Sequence, residues 1–295
     1  MVVLGPTASG KTSLAIALAH ALQTEVISCD SRQFYTELSI GVARPSPAEL
    51  ASVAHHFISF LSVREDFSSG KYGALARPLM IRLLEEKGAV VIAGGSGLYL
   101  DALLNGLDEL PGDQKVRERL HAQFSELGIA FLQQQLLSLD PEYYAQVDLQ
   151  NPHRVMRALE VIAITGRPYS AQRTGQVASQ FPFRIVKIGL QAEREWLYPR
   201  INARVDQMVA SGLEEEARSV MPFRDRPALN TVGYKEWFAH FDGLLSRDES
   251  IEKIKQHTRN YAKRQQTWWR RDSDIQWIDA SSTDPAGDAL RVIQA

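Results

Sequence analysis

Gly5-Pro6-Thr7-Ala8-Ser9-Gly10-Lys11-Thr12 has the spacing of a phosphate-binding loop: glycine, four spacers, glycine, lysine and threonine. The backbone N–H groups of such a loop converge on an anion, and the dipole of a following helix adds to their pull. Lys11 supplies a mobile positive charge, and the Thr12 hydroxyl can ligate a phosphate-bound Mg²⁺. The motif predicts binding of a di- or triphosphate. A second capacity sits in Ser28-Cys29-Asp30-Ser31-Arg32-Gln33. Asp30 can ligate Mg²⁺, bond a substrate hydroxyl or accept a proton from a reacting amine. It can equally cap a helix or close a turn. Gln33 offers both a donor and an acceptor, which suits a base edge. Cys29 has no evident cationic neighbour to lower its pKa and reads as a small packed residue.

Three further groupings can meet a ligand. Gly94-Gly95-Ser96-Gly97-Leu98-Tyr99 would let backbone approach a ligand closely and present the Ser96 hydroxyl, or simply form a tight turn. Arg154 and Arg157 lie three apart, and Arg204 sits in Arg200-Ile201-Asn202-Ala203-Arg204. Helices of this kind supply the arginines that close over phosphates in loop-type phosphate binders, although a surface arginine is usually only solvated. Between Lys253 and Arg271 the chain carries Lys253, Lys255, Arg259, Lys263, Arg264, Arg270 and Arg271, with Tyr261, Trp268 and Trp269 among them and no acidic residue. Basic and aromatic side chains in alternation suit single-stranded nucleic acid, one set for phosphates and the other for bases. The competing reading is a solvated basic face over core tryptophans.

The elements that position these residues follow from periodicity. Met1-Val2-Val3-Leu4 fits a short buried strand ahead of the loop. Ser13 to Leu22 has helix formers with an apolar stripe. Glu25 to Ser28 and Ala89 to Ala93 read as further strands, Ala74 to Glu86 as a helix interrupted early by Pro78, and Leu98 onward as helix. Strands alternating with helices imply a mainly parallel sheet with ligands at the carboxyl ends of its strands. Gly5, Asp30 and Gly94 would then open onto one crevice, with Asp30 ending the strand next to the phosphate-loop strand. From Gln114 to about Gly166 the pattern is helical, with proline breaks at Pro141 and Pro152, and Gly166 to Pro182 suits an extended connection. Phe183 to Leu190 returns to strand. Helices follow with Val205, Met208, Val209 and Leu213 at core spacing, then a basic helix from about Ser250 to Arg271 and a late strand at Ile275 to Ile278. The expected fold is α/β: a phosphate-loop core formed by 1–112 and 183–295, with its mainly parallel sheet flanked by helices, and an all-helical insertion at 113–182.

Bulk properties narrow the classes. The chain has 295 residues, 44% hydrophobic and 23% charged, which is ordinary for a globular protein. Neither a membrane-length apolar run nor a signal-like segment is evident, so a cytoplasmic location without membrane contact is expected. One cysteine excludes an internal disulfide framework and a Cys-rich zinc site. A net charge of −2 means that any nucleic acid must be held by a local basic patch.

With these residues in view, the chain resembles the bacterial tRNA dimethylallyltransferases, the tRNA isopentenyltransferase family. The similarity runs nearly end to end. It includes the phosphate loop, Asp30 to Tyr35, Ile40 to Pro45, Gly94 to Tyr99 and Arg154 to Gly166. It continues through Val232-Gly233-Tyr234-Lys235-Glu236 and Tyr261-Ala262-Lys263-Arg264-Gln265-Gln266-Thr267-Trp268. The resemblance implies transfer of a dimethylallyl group from dimethylallyl diphosphate to the exocyclic N6 amine of the adenosine on the 3′ side of the anticodon. Asp30, Lys11 and Thr7 would then serve the chemistry, and Gly5, Pro6, Thr7, Ala8, Ser9, Gly10, Lys11, Thr12 and Arg204 would hold the diphosphate, with Mg²⁺ at Thr12. It further implies that Asp30, Ser31, Arg32 and Gln33 receive the extruded adenine. The remaining tRNA contacts would come from Ser96, Arg117, His153, Arg154, Arg157, Gly233, Tyr234, Lys235, Lys263, Arg264, Gln265, Trp268 and Arg270. The insertion would clasp the anticodon stem-loop, and the protein would act as a monomer. His153 stands where glutamine is frequent in the family, and Ser96 where threonine is common.

Other classes remain open at this level. A small-molecule or nucleoside kinase would use the loop for ATP and Asp30 to activate a hydroxyl, but leaves the basic helix without a task. A non-catalytic RNA-binding protein with a nucleotide switch leaves Asp30 to Gln33 unexplained. Prenyl transfer to free AMP would not need an extended basic surface.

Overall fold

The computed structural model describes residues 1–106, 110–173 and 183–294. In chain order the elements are β1 (Val2–Leu4), α1 (Lys11–Ala21), β2 (Val26–Ser28), α2 (Pro47–Ser52), β3 (His55–His56), α3 (Ser69–Lys87), β4 (Val91–Ala93) and α4 (Gly97–Leu104). Then come α5 (Gln114–Leu139), α6 (Pro141–Gln146) and α7 (Pro152–Thr165). The last group is β5 (Lys187–Gln191), α8 (Arg194–Ala210), α9 (Leu213–Val220), α10 (Tyr234–Phe241), α11 (Arg247–Trp269), β6 (Ile275–Asp279) and α12 (Pro285–Gln294). The chain divides into two compact units, Met1–Leu104 with Phe181–Ala295, and Asn105–Gln180.

In the larger unit, the described strands form one sheet in the order β3-β2-β4-β1-β5-β6, with every pairing parallel. Period-2 alternation splits the core. Val2, Leu4, Ile27 and Ile92 face a cluster built with α3, α4, α10 and α11. Val3, Val26, Val91, Ile188 and Leu190 face the opposite side, onto Leu14 and Leu18 of α1 and Ala289 of α12. Burial on both faces explains why these strands read as continuous apolar runs. It also hides their spatial order: β4 lies between β1 and β2. Asp30 therefore ends a strand one place removed from the phosphate-loop strand, which corrects the expected adjacency.

Other departures have local causes. Helix α3 starts at Ser69, capped by the Ser68 hydroxyl, and runs through Pro78 without stopping. Proline removes a bond to the carbonyl four residues back, here Ala74. Both residues lie on the solvent side, so water can replace the lost partner, while Tyr72, Ala76, Met80 and Leu83 hold the other face in the core. Strand β5 begins at Lys187, four residues later than expected.

In the smaller unit, Pro141 and Pro152 begin helices instead of breaking them. Each occupies the first turn, behind the capping side chains of Asp140 and Asn151. Gly128, at φ 75°, interrupts α5. Leu120, Leu132, Leu136, Val155, Ala158 and Leu159 form the unit's own core. Glu160 is 2% exposed and takes the Asp113 N–H, Arg117 Nε at 2.8 Å and Arg157 NH1 at 2.7 Å. Arg157 also donates to the carbonyls of Leu110 and Pro111. Glu160 is the buried member of this network and its two arginines are half-exposed, so its loss takes the acceptor from the Asp113 N–H and unties both arginines without stranding a buried charge. Glu160→Ala should therefore loosen this unit, read as faster proteolysis between α5 and α7 with the cleavage pattern of the larger unit unchanged. The polar connection expected up to Pro182 lies, from 174 to 182, outside the described residues.

Candidate active site

The phosphate loop has the backbone its sequence demands. Gly5, Ala8 and Gly10 all have positive φ, at 144°, 65° and 94°. A side chain on Gly5 would also meet Leu190 at 2.9 Å, so glycine is required there on two counts. Ser9 Oγ and Lys11 Nζ both donate to the Pro6 carbonyl, at 2.8 and 2.7 Å. Lys11 is half-buried, and desolvation lowers its pKa to about 8; the Asp30 carboxylate opposes that fall and Arg204 adds to it.

A cavity of about 1170 Å³ opens over this loop. One end is walled by Thr7, Lys11 and Thr12, with Arg200 and Arg204 from α8, and Asp30 and Gln33 stand beside them after β2. Another wall is a stripe of α11 carrying Lys253, His257, Tyr261 and Arg264. Positive charge from the loop, from α8 and from α11, with the Asp30 carboxylate among it, makes this a site for a polyanionic ligand. Gly94 opens instead onto a narrow recess of about 40 Å³ that shares Lys11, Thr12, Asp30 and Gln33 with the larger cavity.

The turn after β2 is fastened on several sides. Asp30 Oδ1 accepts the Arg32 N–H at 3.1 Å, and Ser96 Oγ accepts the Ser31 N–H at 3.1 Å and bonds its hydroxyl at 3.0 Å. Arg32 donates to the carbonyls of Pro227, Ala228 and Asn230, so its guanidinium braces the turn from outside. Gln33 Nε2 donates to the Ala43 carbonyl at 3.0 Å, which commits part of its amide to the neighbouring loop. Cys29 is fully buried and, contrary to the sequence reading, does have a cation close by. Lys11 lowers its pKa slightly, yet desolvation and Asp30 dominate and raise it, so the thiol is inert packing.

Several expected contacts have other work in this conformation. Tyr234 is fully buried and donates its hydroxyl to Glu216 at 2.7 Å; Glu216 also accepts the N–H groups of Ser39, Ile40 and Gly41. Tyr234 thus shapes the 39–41 loop and is not placed to touch RNA. Arg117 and Arg157 are tied to Glu160 within the smaller unit, where His153 and Arg154 are exposed. Trp269 is 3% exposed and belongs to the core, whereas Trp268 is 39% exposed. The basic helix is not free of counter-charge either: Lys255 pairs with Asp206 of α8 at 2.8 Å. Lys263, Arg264 and Arg270 remain exposed, and Gly233 and Lys235 line the cavity from the start of α10.

Sequence reasoning gave no site role to Arg44, Arg200 or the pair formed by Glu236 and His257. Arg200 donates to the Ala8 carbonyl at 3.2 Å and lies over the Trp196 ring. Its spacing of four from Arg204 was a usable signal for a shared helix face. Glu236 is 5% exposed and accepts His257 Nδ1 at 2.5 Å and the Gly233 N–H at 2.8 Å. That pair ties α10 to α11 along the cavity wall.

Comparison with known proteins places this geometry. A family model described as IPP transferase matches residues 33–272. The chain belongs to the IPP transferase family. Among its relatives is a tRNA dimethylallyltransferase of Christiangramia forsetii, 46% identical over 278 residues, which cover 94% of this chain and 92% of the relative. The crystal structure of a full-length tRNA isopentenylpyrophosphate transferase from Bacillus halodurans superposes with a TM-score of 0.71 at 36% identity, covering 99% of this chain and 93% of that one. A eukaryotic dimethylallyltransferase, solved acting on tRNA, shares the fold at a TM-score of 0.78 and 23% identity, with coverage of 99% and 77%. No helix among the described residues is long and apolar enough to cross a membrane.

Mg²⁺ can be judged against the donor set. Thr12, Asp30 and Glu49 bring oxygens to the cavity, while no cluster of three or more His, Cys, Asp or Glu suited to a metal occurs among the described residues. Mg²⁺ that arrives on substrate phosphates needs only one or two protein oxygens. The residues fit that form of binding.

Proposed function

We infer that this protein is a transferase that moves a dimethylallyl group from dimethylallyl diphosphate to the N6 amine of an adenosine in tRNA, on the 3′ side of the anticodon, and releases diphosphate. The observation that carries the reading is the single cavity joining an anion-binding loop, the Asp30 carboxylate and a basic helical wall. A kinase would need the first two and has no use for the third.

An allylic diphosphate reacts by losing its leaving group, so negative charge grows on the diphosphate as the C–O bond breaks. The loop amides that remain free, together with Lys11 and Arg204, would meet that charge as it develops. Thr12 would hold the Mg²⁺ that neutralises further phosphate charge. Asp30 orients the exocyclic amine and takes its proton as the new C–N bond forms; an adenine amine is too weak an acid to be deprotonated beforehand. Extruding a base from a single-stranded loop costs less than from a duplex, which favours an anticodon-loop target. The protein works in the cytoplasm as a monomer.

The test is substrate competition. With labelled dimethylallyl diphosphate and Mg²⁺, label should enter unmodified tRNA and not AMP; phosphoryl transfer from ATP without prenylation would contradict the reading. The basic wall has its own test. Lys263→Ala with Arg264→Ala should weaken tRNA binding and lower its salt slope by about one to two, since each lost phosphate contact removes about 0.7–0.9. An unaltered slope would remove this helix from the interface.

A further inference from the structure

The function inferred above makes α11 an RNA-facing helix, yet Gln265, on that helix, does not face RNA. It is 6% exposed, and both ends of its amide are committed. Gln265 Oε1 accepts the Thr7 N–H of the phosphate loop at 2.9 Å, and Nε2 donates to the Gly95 carbonyl at 3.3 Å. Gly95 leads into Ser96, whose hydroxyl holds Ser31 beside Asp30. One amide thus touches the loop for the leaving group and the loop that steadies the base-receiving turn. The glycines after β4 make room for this: a Cβ on Gly95 would collide with Gln265 Nε2, and one on Gly97 with Trp268 Nε1.

We propose that Gln265 is a positioning residue that sets the diphosphate loop from α11, so that the loop's geometry depends on the seating of the RNA-facing helix. The residue type fits the task. An acceptor for Thr7 and a donor for Gly95 are needed together, which a primary amide supplies and a carboxylate or ammonium does not. A neutral group also leaves the positive potential over the loop intact for an anion. Removing the amide leaves the half-buried Thr7 N–H and the buried Gly95 carbonyl without partners.

Two variants approach the contact from opposite sides. Gln265→Ala deletes the amide, and Gly95→Ala expels it; Gly95 is not in the left-handed region, so alanine is allowed there by the backbone. Each should raise KM for dimethylallyl diphosphate, and the Kd of the free protein for inorganic diphosphate, by about ten- to a hundredfold, the scale of a misplaced binding group. KM for tRNA should stay within about twofold. In the Gln265→Ala background, adding Gly95→Ala should change little, because the collision partner is gone. A merely structural contact would lower the melting temperature and leave diphosphate affinity alone, which would overturn the proposal. So would fully additive effects, or a rise confined to KM for tRNA. Diphosphate binding is measured without RNA or transfer, so this result is separable from the fate of the prenylation reading.

Discussion

Lys11→Met should lower kcat by about a hundred- to a thousandfold, the effect of removing one preorganised donor from a site of developing negative charge. The same residue sets a pH dependence. Burial holds its pKa near 8 in the free protein, well below the ordinary lysine value of 10.5. A diphosphate is met best by the charged form, so bound ligand raises this pKa and binding favours proton uptake. Sign and window follow: kcat/KM for dimethylallyl diphosphate is level below about pH 8 and falls tenfold per unit above it. In Lys11→Met the basic limb should vanish. A limb that persists unchanged in the variant would assign the ionisation elsewhere.

Asp30→Asn should cut kcat by about a hundred- to ten-thousandfold while the Kd for tRNA shifts by less than about twofold. Asparagine keeps an acceptor for the Arg32 N–H, so the turn after β2 retains its shape and the loss isolates the carboxylate. Asp30→Ala should match it in rate. A second consequence concerns Lys11, whose pKa Asp30 raises. Neutralising Asp30 should move the basic limb of the pH profile below pH 8. A large loss of tRNA affinity with an unaltered rate would make Asp30 a binding residue and not the proton acceptor.

How much of this was legible depended on range in sequence. The phosphate loop could be read in full because its chemistry is written in eight consecutive residues, and two of its three positive-φ positions, Gly5 and Gly10, are glycine while the third, Ala8, carries no such mark. The parallel α/β core followed from alternating periodicities. The place of β4 between β1 and β2 was not legible, since strands buried on both faces carry no mark of their neighbours. Tyr234 and Gln265 show the same limit. Each sits in a stretch shared with the family, but a sequence does not say which side chains of a stretch point inward. Gln265 finds partners 258 and 170 residues away. The basic helix was read for its uninterrupted positive charge, and part of its balance came from Asp206 on another helix. Pro78 misled for a related reason: its cost depends on whether the carbonyl it frees faces water.

The most direct measurement is nucleoside-resolved mass spectrometry of unmodified tRNA after incubation with dimethylallyl diphosphate, Mg²⁺ and the wild-type protein. The account predicts one dimethylallyl group on the N6 amine of the adenosine that follows the anticodon, one diphosphate released per group transferred, and no product when that adenosine is replaced by guanosine. Unmodified tRNA after full incubation, or label spread over other nucleosides, would contradict it.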